Sequence, residues 1–235
     1  KHRQRVGDLF VQLGGEAYRI GLGGSAATSK VTGTQSASLD FDSVQRANAE
    51  MEQRLWRVIR ACVQSDPNTP IVDLQDLGAG GDANAVLELV RRLGGKVQLR
   101  QVPCGDTSLT VLVIWCNESQ ERVVLVCRPS GLPLLKKFAK RERCPLAVIG
   151  VVDGSGQFVL EDESAPKENR VERYPVDLSF KSLLGDLPMQ IRELKKVPRN
   201  LTSFTLPRRL DLSQALQRVF SLVSVGSKGH LVNKV

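Results

Sequence analysis

Aromatic side chains are scarce: Phe, Trp and Tyr make up 5% of the 235 residues, with two Trp and two Tyr among them. Surfaces that grip single-stranded nucleic acid stack bases on such rings, so positive charge alone points only weakly to nucleic acid here. Histidine is scarcer still, limited to His2 and His230. That removes most imidazole-based acid–base and metal chemistry. The five cysteines do not replace it: Cys62, Cys104, Cys116, Cys127 and Cys144 form no C-x-x-C pair, and their number is odd. They read as reduced thiols, mostly core, in a nuclear or cytosolic setting, with no metal and no cofactor expected. The sequons at Asn117 and Asn200 then read as chance matches. Long apolar runs are absent too. The longest candidate, Leu109 to Cys116, falls far short of the roughly 20 residues that span a bilayer, no signal-peptide pattern is visible, and a soluble chain without a membrane partner is expected.

What is present is ordinary globular material, 41% hydrophobic and 25% charged, with a net charge of +8 that is unevenly spread. Arg128 to Arg143 holds six basic residues and one acid, Lys181 to Arg209 holds seven basic residues and two acids, and Asp153 to Glu172 is mainly acidic. Each positive stretch has two readings, a solvated face or a surface for an acidic partner. The chain starts at Lys1 without Met and stops at Val235 within an apolar pattern, as a piece of a longer protein would.

Periodicity organises the rest. Asp8 to Leu13 and Tyr18 to Leu22 read as strands, and from Asn48 the stripe Met51, Leu55, Val58, Ile59 and Cys62 reads as a helix capped by Asn48. Ile71 to Leu74 is a short strand that runs into Gly78, Gly80 and Gly81. Val86, Leu87, Leu89, Val90 and Leu93 then mark a helix stopped at Gly94-Gly95. Leu109 to Trp115 and Arg122 to Cys127 are rich in β-branched residues and read as strands. Leu134 to Arg141 is a helix with a basic outer face, and Leu146 to Val152 with Gln157 to Glu161 read as a hairpin about Asp153-Gly154-Ser155-Gly156. Past Glu163 the texture turns to proline, as in a connector lying over a domain surface, until Asp211 caps a new helix. The expected organisation is an α/β domain at 1–162, a proline-rich basic linker at 163–210 and the truncated start of another unit at 211–235. Trp56 and Trp115 are expected in the core. Tyr174, Phe180 and Phe204, in the connector, are either exposed anchors for a partner or packed on the parent domain.

Backbone N–H groups at a helix start point outward unpaired, so glycines there can admit an anion. Gly78, Gly80 and Gly81 suit this, and Gly23 and Gly24 form a second cluster; neither is a Walker loop or a dinucleotide fingerprint, and by spacing each is as good a tight turn as a ligand site. Seven collinear stretches carry more: "GDLFVQLGG" at Gly7, "IGLGGSAATS" at Ile20, "LDFDSVQRANAEME" at Leu39, "DLGAGG" at Asp76, "WCNESQERVVL" at Trp115, "KRERCPLAVIG" at Lys140 and "SLLGDLP" at Ser182. In these the chain resembles formylglycinamide ribonucleotide amidotransferase, the purine-biosynthetic synthase. The resemblance implies a mixed α/β sheet with packed helices, of the aminoimidazole ribonucleotide synthetase C-terminal type, followed by a linker into a second related half. It also implies that Leu74 to Gly81 borders the substrate and phosphate site. Asp76, Gly78, Gly80 and Gly81 match the family there, whereas Gln75 stands for a histidine and Ser25 for a glycine. An amide can hydrogen-bond but cannot move a proton.

A retained scaffold with altered trim also resembles the gammaherpesvirus major tegument proteins, which are amidotransferase homologues without the activity. That resemblance implies a non-catalytic module with a vestigial site at Gly23, Gly24, Gln75, Asp76, Gly78, Gly80 and Gly81. It would sit in the virion tegument and the host nucleus, bind the histone chaperone Daxx, with histones H3.3 and H4 carried on it, and displace a remodeller to relieve silencing. Lys136, Lys137 and Lys140, with Tyr174, Phe180 and Phe204, are the candidate contacts for that partner. The alternative is a structural fragment of a genuine synthase. Direct DNA binding through Lys181 to Arg209 is a third, weaker reading.

Overall fold

Leu9–Gly14 (β1) alternates Phe10 and Gln12 with Val11 and Leu13, and all four side chains are buried, so this strand is covered on both faces. In this computed structural model residues 3–19, 22–23, 30–31, 33–34, 36–42, 48–90, 93–184, 203, 205 and 211–227 are described. After β1 come Ala37–Asp42 (α1), Ala49–Val63 (α2), Ile71–Asp76 (β2), Gly81–Val90 (α3), Gly95–Gln98 (β3) and Val111–Cys116 (α4). Arg122–Cys127 (β4), Leu132–Glu142 (α5), Leu146–Val152 (β5), Gln157–Glu161 (β6), Arg170–Arg173 (α6), Val176–Ser179 (β7), Phe180–Leu184 (α7) and Leu212–Ser221 (α8) complete the order. Seven strands form one mixed sheet, β2-β4-β1-β5-β3-β6-β7, in which β3 runs parallel to β6 and the other pairs are antiparallel.

The period-2 alternation sorts the side chains into two cores. Val11, Leu13, Val123, Leu125 and Cys127 face α2 and α5, which contribute Leu55, Val58, Cys62, Leu135 and Ala139. Phe10, Val124, Val126 and Ile149 face α3 and α4, which contribute Val86, Leu89, Val90, Ile114 and Trp115. All six residues of β4 are buried, as a strand sandwiched between two helical layers requires. Local signals set the helix starts: Asn48 accepts the Met51 N–H at 3.0 Å, and Thr110 accepts the Val113 N–H at 3.3 Å.

Several expectations need correction. Leu109 to Trp115 is not a strand: once Thr110 caps it, burial of Val113, Ile114 and Trp115 against the sheet outweighs the strand preference of its residues, and Trp115 stacks on Phe158 at 5.8 Å. Tyr18 and Arg19 form no strand either, and Ala17 makes only an isolated bridge to Cys104. Leu146 to Val152 and Gln157 to Glu161 are not partners in a hairpin. β3 lies between them, with the Gly156 N–H bonded to the Leu93 carbonyl and that of Asp153 to Gly94. Trp56 is 48% exposed rather than core, with the Arg60 guanidinium 4.9 Å from its ring centroid.

Two compact units divide the chain at Lys1–Pro188 and Met189–Val235. The first runs well past 162, because β7 adds a strand to the sheet by pairing with β6; the stretch expected as a surface connector therefore begins as part of the domain. In the second unit Asp211 caps α8 by accepting the Ser213 and Gln214 N–H groups, and Leu212, Leu216, Val219 and Phe220 are exposed.

Burial pushes the Cys62 thiol up to about 12 and the Cys127 and Cys144 thiols up to about 11, which suits inert core groups. Charge pairs close the far end of the sheet: Asp162 accepts from Arg100 at 2.6 and 2.8 Å, and Glu161 bridges Lys96 and Arg173. The Arg100 guanidinium holds the Asp162 carboxyl well below the usual range, and the hydrogen bond from the Lys96 ammonium lowers that of Glu161. A depressed folded-state pKa contributes stability above the unfolded value, near pH 4, and loses it as pH falls through the folded one. Melting temperature is therefore expected to drop on acidification below about pH 4, and Asp162→Asn to flatten that part of the curve; an unchanged acid limb would show that the pairs contribute nothing.

Candidate functional site

β2 ends at Asp76, and the chain turns through Leu77, Gly78, Ala79 and Gly80 into α3. Gly80 and Gly81 have φ of 78° and 58°, a left-handed conformation that side chains rarely adopt. A Cβ on Gly81 would lie 2.1 Å from the Asn117 carbonyl oxygen, so the turn is in backbone contact with the loop that precedes β4. The same loop supplies a side chain to the turn, since the Gly80 N–H donates to Glu118 Oε1 at 3.1 Å.

Beneath this contact lies a polar network inside the core. Asp82 and Arg122, each with a fully buried side chain, pair at 2.8 Å. The other terminal nitrogen of Arg122 donates to Asn117 Oδ1 at 2.8 Å, and Gln12 Nε2 donates to Asp82 at 3.3 Å. Asn117 Nδ2 in turn donates to the Val113 and Ile114 carbonyls at the end of α4. Burial pushes the Asp82 carboxyl upward, against the opposing pull of Arg122. Among the described residues, Gln12 Oε1 and Arg122 Nε are buried without a protein partner.

At this end of the sheet a cleft of about 300 Å³ opens along β2, with Leu55, Trp56, Ile59 and Leu74 on its apolar wall and Asp76 and Gln120 among its polar groups. Of the expected site residues, Asp76 lines this cleft, Gly78, Gly80 and Gly81 lie in the turn that follows β2, and Gln75 is half-buried on β2 opposite Val124. Gly23 is exposed with φ of 64°; Gly24 lies outside the described residues, as does Phe204. Lys136, Lys137 and Lys140 are exposed on α5, whose opposite face buries Leu135 and Ala139. Phe180 is not a surface anchor: it is 8% exposed and belongs to the core. The Tyr174 ring is half-buried, with Lys96 Nζ 5.9 Å from its centroid. Sequence reading misses Gln12, Asp82, Asn117, Glu118 and Arg122 as parts of the site. The available signal was the polar run Asn117 to Arg122 between two apolar segments, but nothing in it tells a buried Arg from a solvated one.

Residues 5–163 match the family model described as AIR synthase related protein, C-terminal domain. The chain is 42% identical to the phosphoribosylformylglycinamidine synthase of Drosophila melanogaster over 240 residues, covering 97% of the chain and 18% of the relative. It is likewise 42% identical to the Saccharomyces cerevisiae synthase over 228 residues, covering 96% and 16%. A probable synthase of Arabidopsis thaliana, named as chloroplastic/mitochondrial, is 39% identical over 240 residues, with 100% and 17% covered. The chain thus spans less than a fifth of these relatives. In fold it matches Thermotoga maritima PurL complexed with FGAR, with a TM-score of 0.67 at 23% identity over 88% of this chain and 32% of that one.

These relatives overturn the tegument expectation, because they are cellular synthases. The pseudoenzyme reading falls with it, as do the displacement of a chaperone's remodeller and the placement in a virion and a host nucleus. Two altered residues, Gln75 and Ser25, carry that reading, and two such substitutions are compatible with a working family member.

The geometry of the turn is directly testable. Gly81→Ala places a Cβ against a backbone carbonyl at positive φ and is expected to destabilise the fold by more than about 1 kcal/mol. Gly78→Ala meets open space and should be close to neutral in the same urea titration. Equal midpoints for the two variants would refute the tight contact.

Proposed function

The chain belongs to the family of the AIR synthase related protein, C-terminal domain, and from that premise we propose that it is a segment of a phosphoribosylformylglycinamidine synthase. The supporting observation is identity of 39–42% along essentially the whole chain to proteins that share this name in fly, plant, yeast and slime mould. The reaction of the whole protein is then the glutamine-dependent amidation of formylglycinamide ribonucleotide. Gln75 contributes to binding rather than to proton transfer, since an amide cannot exchange a proton in the neutral range.

Asp76, Gly78, Gly80, Gly81 and the Glu118–Gln120 loop form its share of the substrate site. Glu118 already accepts the Gly80 N–H, so a phosphate on that amide would meet a carboxylate at hydrogen-bond range. The arrangement suits donors, such as ribose hydroxyls or the substrate's amide N–H, better than a bare phosphate at this point. The basic patch on α5 needs no macromolecular partner in this reading.

Intact protein containing this chain, assayed with glutamine, ATP and formylglycinamide ribonucleotide, is expected to form the amidine. Glu118→Ala should raise KM for the ribonucleotide by about tenfold or more, the loss of one charge-assisted hydrogen bond. Absence of turnover by the intact wild-type protein would remove the proposal.

A further inference from the structure

Arg122 and Asp82 do not themselves form the contact at the glycine turn, yet they join the two segments that do. Asp82 directly follows Gly81 in α3, and Arg122 directly follows Glu121, where β4 begins. One guanidinium spans both: Nη2 holds Asp82 and Nη1 holds Asn117, each at 2.8 Å. A planar guanidinium engaged at both ends fixes the distance and the angle between its partners, which a flexible ammonium does not. What this brace sets is the approach of Glu118 to the Gly80 N–H.

Stability is a poor account of the brace. Buried ion pairs can often be exchanged for apolar groups of similar volume without loss, and this network leaves Gln12 Oε1 and Arg122 Nε without protein partners among the described residues. A core selected only for stability would carry neither. Resting on the substrate-site reading above, we infer that Arg122, with Asp82 and Asn117, is a positioning group: it sets the separation of the glycine turn from the Glu118–Gln120 loop, and through it the affinity for the ribonucleotide, without touching the ligand.

The test uses the intact protein carrying Asp82→Leu together with Arg122→Met, which removes both charges and roughly keeps volume. The melting temperature is expected to stay close to the parent's, while amide exchange in 78–82 and 117–121 quickens by about tenfold. KM for formylglycinamide ribonucleotide should rise by about tenfold or more with kcat little changed. Arg122→Lys, which keeps the charge but loses the second arm, should show the same changes to a smaller degree. Unaltered exchange in those segments overturns the inference whatever the turnover, and so does faster exchange with an unaltered KM. Unfolding of both variants assigns the network to the core and overturns it as well. Faster exchange in a protein whose wild type never turns over supports the brace and counts instead against the proposed reaction.

Discussion

A carboxylate and a guanidinium with no solvent contact face each other at 2.8 Å on one face of the sheet, and the arrangement at its β2 end depends on them. Each charge is tolerable there only because the other is present and because Gln12 and Asn117 add further hydrogen bonds. Their attachment points make the pair consequential. Asp82 belongs to the helix that the glycines begin, Gln12 to β1, and Arg122 to a strand buried on both faces. Movement of the helix or of β4 would leave a charge unpaired in the core, and movement of β1 would take the Gln12 amide from Asp82, so three elements from distant parts of the chain share one allowed arrangement.

The two-sided sheet supplies the frame for this. Because β4 is covered on both faces, its odd and even positions serve different cores: Val123, Leu125 and Cys127 pack on α2 and α5, while Val124 and Val126 pack on the opposite layer. Arg122 shares the parity of Val124 and so enters the layer that contains α3. The strand's apolar residues thus fix where its single charge points. Close contact of the turn with the Asn117 carbonyl then needs a residue without a Cβ, and Gly81 meets that need.

Much of this frame was legible in the residues. The caps at Asn48 and Asp211, the strands at β1, β2 and β4, and the mixed α/β class follow from spacing and from the quoted stretches. What escaped has physical causes. Leu109 to Trp115 carries strand-forming residues and is helical because tertiary burial outweighs local preference. Lys96 and Val97 of β3 sit in a four-residue strand too short to show a period. Asp153 to Gly156 has the composition of a hairpin turn, and nothing local reveals that another strand passes between its arms. The site was legible at Asp76 and the glycines, whose backbone demands are written in residue type. Asp82, Asn117 and Arg122 were not, because a buried charge is defined by its partners. Gln75 and Ser25 misled in the opposite sense, two altered residues having been given the weight of a lost activity.

The separation of β5 from β6 bears on how the domain assembles. Were they a hairpin, they could form as a local unit; instead β6 joins the sheet only through β3, made some sixty residues earlier in the chain. The order of synthesis suits this, since β3 precedes both neighbours and β5 can seat against β1 and β3 before β6 and then β7 add to the growing edge. Growth by accretion at an edge leaves each new strand waiting on the one before it. A nascent chain paused after β5 would carry β3 as an open edge, a transient surface for a chaperone or for misplaced pairing that the finished sheet does not show.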